Sequence, residues 1–288
     1  MLEFEGKIIN GKLVSQRIRG EIKAKTENFV EKFGRKPTLA VILVGDNPAS
    51  QVYVRNKKNA CAEVGFESRE YVLPGETTQD ELNRLVERLN SDGTVDGILV
   101  QLPLPKHLSE KEIIEKISPD KDVDCFHPYN VGRLVAGTPD FLPCTPAGII
   151  ELIKAAGVEI SGKTCVVCGR SNIVGKPVAH LLMAENGTVT ITHRKTADLK
   201  SVTRGADILV GAIGEPKYFD ASFVKPGAII IDVGMNRDEN GKLCGDFDFD
   251  SVFPVCGGIT PVPGGVGPMT VTMLMKNTLK AAERHEER

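Results

Sequence analysis

A tyrosine and a lysine share one face of a predicted helix with a serine. In Ser50-x-x-Tyr53-x-x-x-Lys57 the spacings of three and four place all three side chains on one side of that helix. A lysine exchanges protons with a substrate near neutral pH only when its pKa is lowered, for example by burial. The segment places a lysine and an aromatic ring together near the carboxyl end of the preceding predicted strand, where ligands bind in open α/β sheets. A solvated lysine next to a half-buried tyrosine fits the same spacing.

Two further polar residues follow apolar or turn segments in the same half of the chain. Gln101 ends an apolar run that begins at residue 97, so it lies at the carboxyl end of a predicted strand, where ligands bind in open α/β sheets. Asp124 belongs to the acidic loop 120–128, which lacks the glycine and distal glutamate of an EF-hand loop. A strand-end amide that bonds the backbone is the alternative for Gln101, and turn or cap positions explain some of the aspartates. We predict no metal site, and we interpret His127 as a hydrogen-bonding loop residue.

The second half of the chain opens with a strand, a tight turn and a helix. The strand ends at Gly169, Arg170 and Ser171 follow, and apolar residues then recur at helical spacing. This order directs the N–H groups of a helix N-terminus at a phosphate. Because Ser171 replaces the second glycine of the usual dinucleotide-binding motif, the turn by itself is a weak match.

The residues after the next predicted strand indicate which cofactor the turn binds. An acid about 20 residues beyond the glycine turn commonly bonds the ribose hydroxyls of NAD. Here Arg194 and Lys195 occupy that region without an Asp or Glu beside them. A basic pair favours the additional 2′-phosphate of NADP, although a solvated pair of loop charges is the alternative. We predict NADP as the cofactor.

Strands and helices alternate along the whole chain, which predicts a two-lobed α/β protein with parallel sheets. The predicted strands are 39–44, 66–73, a run from 97 that Pro103 stops, 165–168, 188–192, 207–212 and 228–233. We assign residues 1–144, together with a C-terminal helix at 270–288, to an N-terminal α/β domain. Residues 145–269 form a Rossmann-like domain, and the C-terminal helix packs back on the first domain.

Composition narrows the classes of protein. The 288 residues suffice for two domains, and 41% hydrophobic with 26% charged residues is typical of a soluble globular protein. A net charge of −2 gives no reason to expect nucleic acid or an anionic membrane as a partner. We find no membrane-spanning run and no signal peptide, so we expect a cytoplasmic protein. The cysteine count of seven argues against a disulfide framework, and Cys165 and Cys168 are interpreted as small buried residues.

Five motifs together resemble those of the bifunctional methylenetetrahydrofolate dehydrogenase/methenyltetrahydrofolate cyclohydrolase family. They occur in that family's order and span nearly the whole chain, and their combination is far more specific than any one of them. They are Ser50-x-x-Tyr53-x-x-x-Lys57, Val100-Gln101-Leu102-Pro103-Leu104-Pro105, Lys121-Asp122-Val123-Asp124, Gly169-Arg170-Ser171-x-Ile173-Val174-Gly175-x-Pro177 and Pro261-Val262-Pro263-Gly264-Gly265-Val266-Gly267-Pro268-Met269-Thr270.

The resemblance implies two reactions in one cleft between the lobes. Methylenetetrahydrofolate transfers hydride to NADP, and water then opens the methenyl cation to 10-formyltetrahydrofolate. By the same resemblance Lys57 is the central acid/base group and Gln101 holds it. Tyr53 stacks on the folate rings, and Asp124 bonds the amino edge of the pterin.

The remaining assignments also follow from the resemblance. Further substrate-binding residues are Ser50, Gly264 and Gly265. The cofactor-binding residues are Gly169, Arg170, Ser171, Arg194 and Met235, the last at the nicotinamide side, where we expect isoleucine. The partner is a small-molecule folate, and the implied assembly is a homodimer.

Two other interpretations remain open at this point. An NADP-dependent dehydrogenase of another small substrate, such as the shikimate type, shares the two-lobed plan and a catalytic lysine but has no hydrolase activity. A regulatory nucleotide-binding module explains the glycine turn, yet it leaves Tyr53, Lys57, Gln101 and Asp124 without a common purpose. We assign no role to Cys125 or His127.

Overall fold

The computed structural model describes residues 3–287, which divide into two compact units. The large-sheet unit contains residues 3–17 and Thr145–Thr270, and the small-sheet unit contains Ile18–Cys144 and 271–287. Residues 1, 2 and 288, which the predicted domain limits include, lie outside the described part of the chain.

Strands and helices alternate through both units, as predicted. The strands are β1 (Phe4–Glu5), β2 (Ile8–Ile9), β3 (Thr38–Val44), β4 (Glu67–Leu73), β5 (Gly97–Val100), β6 (Thr164–Cys168), β7 (Thr188–Thr192), β8 (Ile208–Gly211), β9 (Ile229–Asp232), β10 (Asn236–Arg237), β11 (Leu243–Cys244) and β12 (Gly258–Ile259). The α-helices are α1 (Gly11–Phe33), α2 (Pro48–Val64), α3 (Gln79–Ser91), α4 (Glu110–Lys116), α5 (Pro128–Val135), α6 (Cys144–Ala155), α7 (Gly175–Ala184), α8 (Leu199–Thr203), α9 (Phe249–Val252) and α10 (Val266–Glu286).

The small-sheet unit is built on a parallel sheet with the order β4-β3-β5. Every residue of β3 is buried, because its apolar side chains face packed helices on both sides of the sheet. A capping box begins α3: Thr78 accepts from the Glu81 N–H, and the Glu81 carboxylate accepts from Thr78. Strand β3 confirms the predicted strand at 39–44 and begins one residue earlier.

The sequence did not predict helix α5. The helix begins after His127, whose Nδ1 accepts the Tyr129 N–H at 3.0 Å, and Pro128 occupies its first position. Histidine is a rare N-cap and the helix spans only Pro128–Val135, so neither the usual start signal nor a long apolar period marks it. The interpretation of His127 as a hydrogen-bonding residue is confirmed.

The large-sheet unit contains a seven-stranded sheet with the order β1-β2-β12-β9-β8-β6-β7. Strands β6, β7, β8, β9 and β12 of this sheet are parallel. Across the sheet they lie in the order β7-β6-β8-β9-β12, so their positions along the chain are 2-1-3-4-5, the order of a doubly wound nucleotide-binding sheet. The short hairpin of β1 and β2 extends this sheet beside β12. Residues 3–17 therefore pack with Thr145–Thr270, whereas the predicted division placed them in the first domain.

The C-terminal helix packs within the small-sheet unit from residue 271 onward, as the fold prediction expected. Met275 contacts the thiol of Cys61 on α2, and Asn277 donates hydrogen bonds to backbone carbonyls of the 123–142 region. Near the end of the helix, His285 and Arg35 both contact the buried Asp96 carboxylate. Among the described residues, no helix is both long and apolar enough to cross a membrane.

Candidate active site

Lys57 is a buried lysine on the inner face of α2, only 8% exposed. Its Nζ donates to Oε1 of Gln101 at 2.9 Å. Gln101 directly follows β5, and its Nε2 donates to the Leu102 carbonyl at 2.6 Å, which fixes Oε1 toward the lysine. The helix and the strand end thus bring together two of the predicted site residues.

Burial and a nearby carboxylate set the protonation of Lys57. Desolvation lowers the pKa of Lys57, because removal from water disfavours the charged ammonium, and the negative charge of Asp124 opposes this shift. Desolvation likewise raises the pKa of Asp124, while the charge of Lys57 and a hydrogen bond with Cys144 oppose it. The result is an amine that loses its proton more readily than a surface lysine, next to a carboxyl group.

Ser50 and Tyr53 occupy the same helix but differ in burial. Ser50 is buried in the first turn of α2, where its N–H donates to the Asn47 side chain at 3.2 Å. Tyr53, one turn before Lys57, keeps 38% of its surface exposed. The three residues therefore lie on one helix, α2, at the predicted spacing, and the ring of Tyr53 is accessible to a ligand.

The loop that carries Asp124 is anchored on several sides. The carboxylate of Asp122 accepts from the N–H groups of Phe126 and His127 and from the Asn130 amide. Cys125 has a φ of +62°, in the left-handed region that few residues other than glycine adopt. The hydrogen bonds of the buried Asp122 therefore fix the conformation of the acidic loop that carries Asp124.

Cys144 is a site residue that the sequence analysis missed. It is buried at the start of α6, where its Sγ lies 3.3 Å from the Val123 carbonyl and also interacts with Asp124. Desolvation raises the pKa of this thiol, so it stays protonated and serves as a hydrogen-bond donor. Nothing in the local pattern Pro143-Cys144-Thr145-Pro146 distinguishes it from an ordinary buried cysteine.

The glycine turn of the large-sheet unit has the tight geometry that the sequence predicted. Gly169 follows β6 with a φ of +125°, and a Cβ there would lie 2.2 Å from the Ala212 carbonyl oxygen after β8. A Cβ on Gly175, at the start of α7, would lie 2.3 Å from the Gly169 oxygen. Only glycine fits either position. The turn lies between β6 and β8, at the point where the strand order reverses and ligands bind in such sheets.

Polar side chains surround this turn. Ser171 Oγ accepts the N–H groups of Val174 and Gly175, both at 3.2 Å, while the Ser171 and Arg170 side chains are exposed. The predicted basic pair follows β7, and Arg194 is exposed two residues after Thr192, whose carbonyl accepts the Gly169 N–H at 3.0 Å. Arg194 and the glycine turn thus follow neighbouring strands at the same edge of the sheet.

Two buried aspartates organise the loops at the adjacent strand ends, and the sequence analysis missed both. The Asp246 carboxylate accepts the N–H groups of residues 213–215 and the Asn236 amide. The Asp232 carboxylate accepts the N–H groups of Gly234, Asp246 and Phe247. Desolvation raises the pKa of Asp232 to about 7. The loops after β8 and β9 are therefore held by acids that face inward.

The remaining predicted residues also belong to the large-sheet unit. Met235 follows β9 and is 48% exposed. Gly264 has a φ of +110°, and Gly265 lies so close to the start of α1 that a Cβ on Gly11 would be 1.9 Å from the Gly265 oxygen. No group of three or more His, Cys, Asp or Glu that could hold a metal occurs among the described residues.

Fold and site together define a class of protein. One unit contains a doubly wound sheet with a glycine turn and a basic pair at its carboxyl edge. The other contains a desolvated lysine held by an amide beside a carboxyl group. A two-unit α/β enzyme of the nucleotide-dependent type has these features.

Comparison with known families assigns the chain within that class. Residues 9–124 match the catalytic domain of tetrahydrofolate dehydrogenase/cyclohydrolase, and residues 143–286 match the NAD(P)-binding domain of the same family. The chain belongs to the tetrahydrofolate dehydrogenase/cyclohydrolase family.

Individual relatives agree over nearly their full length. The bifunctional protein FolD of Acetivibrio thermocellus is 58% identical over 97% of this chain and 98% of its own. The FolD structure from Campylobacter jejuni superposes with a TM-score of 0.93 at 49% identity, covering 96% of this chain and 98% of that one. The Trypanosoma brucei structure, a complex with NADP and an inhibitor, has a TM-score of 0.93 at 41% identity and covers 98% of both chains.

The shikimate-type alternative has weaker support. The shikimate dehydrogenase of Thermus thermophilus is 15% identical with a TM-score of 0.54. At that identity the likeness extends to the fold alone.

Proposed function

We propose that Lys57 manages the protons in this bifunctional enzyme, which oxidises methylenetetrahydrofolate with NADP and hydrolyses the methenyl product to 10-formyltetrahydrofolate. The observation that carries the proposal is the buried contact of Lys57 Nζ with Gln101, next to Asp124. A lysine with a lowered pKa can accept and return a proton near neutral pH. The large-sheet unit contributes cofactor binding rather than proton transfer.

Hydride transfer needs position more than side-chain chemistry. NADP, when bound, accepts the hydride from the methylene carbon of the folate. The residues around the glycine turn fit such a cofactor, since the Gly169 turn lets backbone approach closely and Arg170, Ser171 and Arg194 are exposed beside it. We assign Met235 to the nicotinamide side of the cofactor.

Hydrolysis of the methenyl cation requires a group that moves protons. Neutral Lys57 accepts a proton from the attacking water as its oxygen bonds to the methenyl carbon. The bond from that carbon to ring nitrogen N5 then breaks, and the Lys57 ammonium returns the proton to the departing nitrogen. The remaining hydroxyl proton leaves to water as the formyl C=O double bond forms. The cationic substrate lowers the pKa of Lys57 further, because two like charges disfavour each other.

The other side chains of the small-sheet unit bind the folate. Asp124 accepts hydrogen bonds from the amino edge of the pterin, and the accessible ring of Tyr53 stacks on the folate rings. Gln101 keeps the Lys57 amine directed, and Ser50 packs beneath the same helix face. We assign Gly264 and Gly265 to substrate binding through their backbone.

These assignments imply a division of labour between the domains. We place folate binding and catalysis in residues 1–144 with the helix at 270–288, and NADP binding in residues 145–269. The family domains at 9–124 and 143–286 support a boundary near residue 144. The second family domain also includes most of the C-terminal helix, and the packing of residues 271–287 with 18–144 supports assigning that helix to the folate-binding domain.

We further propose a cytoplasmic homodimer. All seven cysteines are free thiols, as is usual in a reducing compartment.

Strand β7 lies at the edge of its sheet, and Ile191 on it is 41% exposed, so this edge is available to a second copy of the chain. Sedimentation of the purified protein should give twice the chain mass, and Ile191→Lys should shift it toward the monomer. A monomeric wild type rules out the dimer.

A single reaction mixture tests the enzymatic proposal. Purified protein, methylenetetrahydrofolate and NADP should yield both reduced cofactor and 10-formyltetrahydrofolate. Supplying the methenyl compound without NADP isolates the second step. If reduced cofactor appears but the formyl product forms no faster than by uncatalysed hydrolysis, the role of Lys57 in hydrolysis is contradicted.

A further inference from the structure

Asn277 connects the C-terminal helix to the acidic loop that carries Asp124. It is buried on α10, 7% exposed. Its Nδ2 donates to the carbonyl oxygens of Val123 and Leu142, both at 2.8 Å. The two protons of one amide group therefore tie together two segments that are distant in the chain.

Both segments lead to residues of the lysine site. Val123 directly precedes Asp124, and its carbonyl oxygen belongs to the peptide plane that joins the two residues. Leu142 lies two residues before Cys144, whose thiol contacts both the Val123 carbonyl and Asp124. Because the Val123 carbonyl lies in the peptide plane that also contains the N and Cα atoms of Asp124, the Asn277 hydrogen bond restrains the backbone at Asp124.

Other anchors hold neighbouring residues of the acidic loop and do not contact the Val123 carbonyl. The Ile98 N–H bonds the Lys121 carbonyl at 2.8 Å, and Cys125 Sγ lies 3.3 Å from the Phe141 carbonyl. Without Asn277, the buried Val123 carbonyl retains only the weak thiol donor of Cys144, and the Leu142 carbonyl loses its amide donor. The peptide plane between Val123 and Asp124 is then held less firmly.

We propose that Asn277 is a positioning residue for folate binding, acting through Asp124. The inference rests on the proposed role of Asp124. It predicts that loss of the amide weakens folate binding and leaves cofactor binding unchanged, since Asn277 and Asp124 belong to the small-sheet unit.

Steady-state kinetics of four single variants and one double variant test this role. Asn277→Leu keeps the volume and removes both donors, while Asn277→Ala leaves room for a water that bridges the carbonyls and so guards against a folding failure. Thr278→Val is the matched control, because Thr278 is buried on the same helix and bonds only the Leu274 carbonyl within it. Asp124→Ala tests the underlying assignment.

We expect Asn277→Leu to raise the KM for methylenetetrahydrofolate about tenfold or more, with the KM for NADP unchanged and Thr278→Val near wild type. In the Asp124→Ala background the Asn277→Leu effect should disappear, because both changes remove one interaction. If Asn277→Leu and Asn277→Ala match Thr278→Val while Asp124→Ala raises the folate KM, the positioning role is wrong. If Asp124→Ala itself leaves the folate KM unchanged, the role of Asp124 and this inference fail together.

Discussion

The two units use the carboxyl ends of their parallel strands in opposite ways. In the small-sheet unit that edge presents side chains: Lys57 and Gln101 meet there, with Asp124 close enough to influence the pKa of the lysine. In the large-sheet unit the edge is made of backbone, and the acids Asp232 and Asp246 turn inward to bind N–H groups of the surrounding loops.

The difference separates side chains that can react with or bind a ligand from side chains that hold loops in place. A carboxylate that accepts several backbone N–H bonds is committed to holding a loop, as Asp246 is. Asp124 instead interacts with the side chains of Lys57 and Cys144, so its carboxyl group remains suited to a ligand. Side-chain substitutions should therefore abolish reaction in the small-sheet unit, whereas backbone substitutions should abolish binding in the large-sheet unit.

The largest effect is expected for Lys57→Met. Removal of the amine should reduce cyclohydrolase turnover about 10³-fold, because the proton acceptor is lost while the buried volume is kept. Lys58→Met is the control, since Lys58 is exposed and pairs with Glu70 on the surface. Turnover of methenyltetrahydrofolate close to wild type in Lys57→Met would show that the lysine is not the acid/base group.

Gly169→Ala should weaken NADP binding by changing the backbone conformation of the glycine turn. The added Cβ would lie 2.2 Å from the Ala212 oxygen, so the turn must open, and we expect the KM for NADP to rise about a hundredfold. Gly162 also has a positive φ, +73°, but a Cβ there meets nothing within 4 Å, so Gly162→Ala should leave the KM for NADP unchanged. An unchanged KM in Gly169→Ala would remove the turn from the cofactor site.

Arg194→Ala should alter cofactor choice more than turnover. Loss of a charged hydrogen bond to the 2′-phosphate, worth about 1.5–3 kcal/mol, should lower kcat/KM for NADP about tenfold or more and leave NAD little affected. Arg204→Ala removes an exposed arginine from the same unit as a control. Equal losses with both cofactors would mean that Arg194 does not read the 2′-phosphate.

The smallest effect concerns stability and pH. The pKa of Asp232 is raised to about 7 in the folded protein, so the folded state binds this proton more tightly than the unfolded chain, where an aspartate has a pKa of about 4. The stability that this proton contributes is complete below pH about 4 and is lost as the pH rises through about 7.

Asp232→Asn should therefore flatten the fall in the free energy of unfolding between those pH values. Denaturant melts at several pH values measure this slope, with the exposed Asp250→Asn as control. Parallel pH profiles of wild type and Asp232→Asn would contradict the raised pKa.

Much of the fold followed from local patterns. The unbroken apolar run 39–44 predicted a strand, because such a pattern depends on only a few neighbouring residues. The predicted pairing of Lys57 with Gln101 came from a family resemblance together with the position of each residue at a strand end or on a helix face. Helix α5 escaped prediction because its cap is a histidine.

By itself, then, the sequence determined the alternation of strands and helices, the lysine-bearing helix face and the glycine turn, since each depends on spacing along a continuous segment. Only the tertiary structure decided that residues 3–17 extend the large sheet, that Cys144 meets Asp124 and that Asn277 reaches Val123 across 154 positions. Such contacts arise when packing brings distant segments together, and a buried polar atom takes whichever partner that packing provides.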